Sequence, residues 1–177
     1  NGVNGWAMHA VDGNTNTFWH TAWQNVEGGT NVNMADGTNN SYFIALQEAS
    51  SVDKITYLPR QDTQTDVNGT ILNCTVSVTT DALEGMPSLQ DITDSASAGT
   101  KNSEAVELFT AEDVTWKEVA ITTFDEGNWA FDSQAKEILF DAAEENVTGI
   151  KITVTAAGGT SAQNTNKFIS GAEFGVK

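Results

Sequence analysis

Seven short segments of this chain alternate apolar with polar residues and are rich in β-branched and aromatic side chains. They are YFIAL (42–46), KITYL (54–58), TILNCTVSV (70–78), KEVAI (117–121), EILF (137–140), GIKITVT (149–155) and AEFGV (172–176). A period of two puts every second side chain on one face, which is the pattern of a strand with one buried side. Clusters of Gly, Asn, Asp and Ser separate the segments, and no window sustains a helical stripe of ten or more residues. The chain is therefore expected to be all-β, an antiparallel sandwich whose strands share one core. Ile150, Ile152 and Val154 should face that core, with Lys151, Thr153 and Thr155 turned to water. The periodicity fits a jelly roll and an immunoglobulin-like sandwich equally.

At 177 residues the chain suits one well-buried core, so residues 1–177 are read as a single domain. Asp and Glu number 24 against 8 Lys and Arg, a formal charge of -16. Such a surface repels phosphate backbones and anionic lipid headgroups, which argues against nucleic-acid or membrane partners. No apolar run reaches the length of a membrane span, and no charged-then-apolar leader opens the chain. The start at Asn1 fits either a mature protein or an excised module and favours the second. The one cysteine, Cys74, shares an alternating face with Leu72, Val76 and Val78, which makes it a small core residue. A disulfide-poor, acidic, Asn- and Thr-rich chain suits an extracellular bacterial module, secreted or attached to a cell wall.

The stretch DGNTNT (12–17) is a compact turn rich in oxygen atoms. Calcium takes six to eight oxygen ligands, yet the turn lacks the full D-x-D-x-D-G loop with its closing Glu. On its own residues it reads first as a hydrogen-bonded Asx turn.

Four pieces in order, DGNTNTFWHTAW (12–23), LPRQD (58–62), NG (68–69) and GAEF (171–174), resemble the family 32 carbohydrate-binding modules. These are the bacterial sugar-binding branch of the discoidin, or coagulation factor V/VIII type C, fold, and the N-terminal module of galactose oxidase is similar. The likeness runs along nearly the whole chain. It selects the jelly roll and marks residues 82–113 as an acidic insertion, expected to be a solvated excursion with a short helix near residues 104–109. It also implies a structural calcium site formed by the side chains of Asp12, Thr17 and Glu173 with the carbonyls of His9, Asn14 and Ala172. That site would tie the first loop to the last strand.

The resemblance further implies a sugar site at one end of the sandwich, made by His20, Arg60 and Asn68. A sugar presents hydroxyls that both donate and accept, together with an apolar C–H face. Arg offers a rigid fork of donors, His and Asn can each donate or accept, and an aromatic ring covers the apolar face. Phe168 matches the aromatic platform, and Trp23 could lie at the rim. Trp6, Trp19, Trp116 and Trp129 read as core or structural residues.

The expected ligand is a terminal galactose or N-acetylgalactosamine of host or mucin-type glycans, bound by a monomer tethered to the catalytic domain of a glycoside hydrolase. An adhesion or protein-interaction domain with a vestigial pocket is the alternative. Catalysis is not expected. No carboxylate pair has an acid-and-nucleophile context, His9 and His20 lack metal-ligand spacing, and no nucleophile, phosphate or dinucleotide motif occurs.

Overall fold

The computed structural model describes residues 6–21, 37, 40–61, 68–88, 98–124, 134–159 and 168–177. The element order is a 3-10 turn (Ala7–Ala10), β1 (Trp19–His20), β2 (Ser41–Leu58), β3 (Ile71–Thr79), α1 (Ala98–Phe109), β4 (Lys117–Thr123), β5 (Lys136–Ala157), β6 (Ser170–Gly171) and β7 (Glu173–Val176). Among the described residues these strands form two antiparallel sheets, a pair β1-β6 and a five-stranded sheet in the order β4-β3-β5-β2-β7.

The alternation translates into burial on the core face as expected, while on the other face Lys151 and Thr153 are half-buried, Lys151 over the Trp116 ring and Thr153 against Ser41. Ile150, Ile152 and Val154 are fully buried, while Thr155 is exposed. On β3, Cys74, Val76 and Val78 join the core as expected, and burial pushes the Cys74 thiol up to about 12. Ile71 joins them in place of Leu72, which is buried outside the core cluster because register shifts between Ile71 and Cys74 break the alternation there. Each fully buried aliphatic side chain contributes roughly 1.5–3 kcal/mol of transfer free energy. Rings extend this core as a column: Trp19 meets Tyr42 at 4.6 Å, Tyr42 meets Phe174 at 4.8 Å, Phe174 meets Tyr57 at 5.3 Å and Tyr57 meets Phe124 at 6.2 Å. The column joins the first loop to both halves of β2 and to the last strand.

Two expected segments are continuous where a break was anticipated. YFIAL and KITYL form the two ends of β2, and EILF and GIKITVT the two ends of β5. Register shifts between Ala45 and Lys54 carry the paired strands past one another, with Gln47 to Ala49 exposed in the middle. Bulges of this kind bend a strand without ending it, so polar residues inside it do not mark a turn.

The insertion has a definite place. Its helix α1 runs 12 residues where no helical stripe of ten or more was expected, beginning six residues before the expected 104–109, and its last residue, Phe109, is buried against Phe43 at 4.9 Å and Trp116 at 6.2 Å. Phe43 alternates with the core residues Tyr42 and Ile44, so the helix ends on the outer face of the large sheet. No helix among the described residues is long and apolar enough to cross a membrane.

Candidate functional site

The four positions expected to bind a sugar come from separate segments of the chain, and Ser170 ties those segments together. The β1-β6 pair sets His20 opposite Ser170. On the other side, the Ser170 amide donates to Gly69 O at 2.8 Å and its hydroxyl to Asn68 O at 3.1 Å. The Ser170 carbonyl accepts from the Tyr57 hydroxyl at 2.9 Å, three residues before Arg60. Phe168 lies two residues upstream, beside Ile169, whose amide donates to Thr21 Oγ1 at 3.0 Å. Gly69 is required here because its φ is +89°, and a Cβ would lie 2.7 Å from the Ser170 nitrogen. His20, Arg60, Asn68 and Phe168 thus gather at one end of the fold. Trp23 and Trp129 lie outside the described residues.

Two of these side chains share a ring that the sequence reading did not single out. The Arg60 Cζ sits 3.9 Å from the centroid of Phe18, and the His20 ring stacks on Phe18 at 5.7 Å with 27° between planes. Arg60 and His20 are therefore no farther apart than the sum of those distances. His20 Nδ1 is 2.7 Å from Thr21 O. A carbonyl only accepts, so Nδ1 carries the proton and Nε2 is the acceptor of the neutral ring. Donor-only Arg beside an imidazole acceptor matches a hydroxyl that must do both.

Two clefts lie elsewhere. One of about 180 Å³ is lined by Thr79, Thr115, Trp116 and Glu144, and one of about 320 Å³ by Leu46, Ser50 and Val176. The first opens at the C-terminal end of β3, whereas Asn68 stands before its N-terminal end, about 30 Å away along an extended strand. Its position by the root of the insertion makes it a packing seam.

The DGNTNT turn forms the expected Asx turn, in which Asn14 N donates to Asp12 Oδ1 at 2.8 Å. Around it, oxygens crowd: Thr17 Oγ1 lies 3.0 and 2.8 Å from the two Asp12 carboxylate oxygens, 2.7 Å from Asn14 O and 3.5 Å from His9 O. A single hydroxyl proton cannot serve four acceptors, so lone pairs face one another across the turn. Glu173 Oε1 accepts from the Gly13 amide at 3.2 Å, while its Oε2 is buried with no hydrogen-bond partner. Burial, and secondly the Asp12 charge, hold the Glu173 carboxyl above its ordinary range. Buried Ala172 precedes it in the chain. Among the described residues no group of three or more His, Cys, Asp or Glu could hold a metal. The donor set here is two carboxylates, a hydroxyl and carbonyls, all hard oxygen, which fits calcium and suits softer metals poorly.

Comparison with family models and with curated proteins finds no match. Solved structures do match. A family 32 module, CBM32-3, from a family 31 glycoside hydrolase of Clostridium perfringens aligns with a TM-score of 0.62 at 21% identity, covering 98% of this chain and 82% of that one. The chain has the fold of these modules. The family 32 module of C. perfringens NanJ, solved with galactose, aligns at 0.53 with 22% identity over 96% of this chain and 82% of that one. CpGH89CBM32-5 from the same organism, solved with GalNAc-β-1,3-galactose, aligns at 0.57 with 20% identity over 99% and 85%.

Proposed function

We propose that the chain is a non-catalytic carbohydrate-binding module that recognises a terminal galactose or N-acetylgalactosamine and, as part of a longer chain, holds a glycoside hydrolase on host or mucin-type glycans. The observation that carries this reading is the convergence of Arg60 and His20 on one ring, beside the Asn68 backbone held by Ser170. An axial O4 donates to His20 Nε2 while Arg60 donates to it and to O3. An equatorial O4 points away from the pair and leaves polar groups unpaired, which is how a polar site rejects a near-isostere. The half-buried Phe168 takes the apolar face of the ring. Two structural neighbours solved with galactose-containing ligands support the same choice.

In this reading calcium is a structural cofactor, held by Asp12, Thr17 and Glu173 with the carbonyls of His9, Asn14 and Ala172. It supplies positive charge to crowded oxygens and does not touch the sugar. One shallow site for one sugar ring implies a dissociation constant of roughly millimolar, about -4 kcal/mol, so useful attachment requires neighbouring modules or a tethered catalytic domain.

Saturation-transfer NMR with methyl β-galactoside and methyl β-glucoside tests the assignment. The galactoside should give signal and the glucoside little. Equal signals, or a preference for glucose, would contradict a galactose-type site.

A further inference from the structure

Phe18 is 6% exposed, yet it stands outside the hydrophobic core cluster. The reason lies in strand alternation: Trp19 turns inward onto Tyr42, which sends Phe18 and His20 to the opposite side. There the ring is covered by polar groups, the Arg60 guanidinium at 3.9 Å and the His20 imidazole at 5.7 Å. A guanidinium held 3.9 Å over a ring centroid by cation–π attraction is fixed in place, which limits where its planar fork of N–H donors can point.

We propose that Phe18 is a positioning residue for sugar recognition, its ring setting the separation and tilt of Arg60 and His20 and thereby the preference for an axial over an equatorial hydroxyl. The proposal rests on the galactose-type reading of the site. It assigns discrimination to a residue that has no need to touch the sugar.

Two variants separate this role from packing. Phe18→Leu keeps an apolar side chain and removes the aromatic face, whereas Phe18→Tyr keeps the face. The first readout is independent of sugar: the Arg60 Hδ resonances should lie upfield through the ring current in the parent and in Phe18→Tyr, and return to unshifted values in Phe18→Leu. The second is binding. Phe18→Leu should weaken methyl β-galactoside roughly tenfold, as expected for loss of a cation–π contact that orders the site, and should narrow the galactoside-to-glucoside ratio. Phe18→Tyr should retain both. Unshifted Arg60 resonances in the parent would overturn the proposal whatever the variants do. So would a Phe18→Leu protein that binds with parental affinity and selectivity. A parent that binds neither sugar overturns the recognition reading and this proposal together, which distinguishes the two failures.

Discussion

Asp81 and Thr115 clasp the two roots of the insertion: Asp81 Oδ2 accepts from the Thr115 amide at 2.6 Å and from its hydroxyl at 2.8 Å. Thr79 Oγ1 adds a third donor at 3.2 Å, and the Asp81 carbonyl accepts from Thr148 Oγ1 at 2.6 Å. The excursion from 82 to 113 therefore leaves and rejoins the sheet at one point. The Thr115 hydrogen bonds, backbone first, hold the Asp81 carboxyl below its ordinary range. A folded-state value below the unfolded one means that the contribution is complete above the unfolded carboxylate range, near pH 4, and is lost as pH falls through the lowered value. Glu137, lowered by its contact with Lys54, acts in the same direction. Hydrogen exchange at successively lower pH should show the amides of α1 losing protection below about pH 4, before those of β3 and β5. In Asp81→Asn the same amides should already exchange faster at neutral pH. Uniform exchange across α1 and the sheet in both proteins would remove the clasp from the account.

Gly149 marks where the insertion docks. A Cβ there would meet Leu83 Cδ1 at 2.9 Å, Thr79 Cγ2 at 3.1 Å and Phe109 Cε1 at 3.4 Å. Gly149→Ala should cost about 1–3 kcal/mol through overpacking, with the damage confined to the insertion. Because Leu83 offers the closest atom, adding Leu83→Ala should recover part of that loss, a coupling that a double-mutant cycle on denaturant midpoints measures. Strict additivity would place the insertion elsewhere.

Much of the fold was legible because alternation in β3 and in Ile150, Ile152 and Val154 is a direct readout of burial. The joins within β2 and β5 were not, since a bulge leaves no residue-type signature and Gln47 to Asp53 reads as a turn. That His20, Arg60 and Asn68 gather at one end of the fold was legible only through ordered motifs; none is informative singly. Phe18 was hidden because an aromatic beside a Trp reads as core, and a strand as short as β1 shows too few residues to reveal which face is which. Ser170, the backbone hub of the site, carries no chemical signal in the sequence at all. The docking of the insertion depends on contacts between Leu83, Phe109 and Gly149, which only the fold brings together.

Calcium should stabilise the chain. With no cation, the Asp12, Asn14 and His9 oxygens around Thr17 repel one another, and Glu173 Oε2 is buried without a partner. A ligand at a hundred times its dissociation constant adds about 2.7 kcal/mol. For a domain of this size, that corresponds to a rise in melting temperature of roughly 5–10 °C over chelator-treated protein. Thr17→Val and Glu173→Gln should each abolish most of the rise. Identical melting curves in calcium and in chelator would show that the turn is held by its Asx hydrogen bonds alone.

Arg60 should matter far more to binding than to stability. Its guanidinium covers Phe18 at 3.9 Å, so Arg60→Ala uncovers one ring and should lower the melting temperature by only a few degrees, in line with a cation–π contact of roughly 0.5–2 kcal/mol. Loss of a charged donor to sugar hydroxyls costs about 1.5–3 kcal/mol, which carries a millimolar ligand beyond detection. Arg60→Lys makes the sharper test. It keeps the positive charge but lacks the planar fork and stacks poorly, so if recognition depends on two directed N–H donors it should bind nearly as badly as alanine. If calorimetry instead finds that lysine restores galactoside binding, a point charge suffices, and the orientation imposed by Phe18 on the guanidinium is not what selects the sugar.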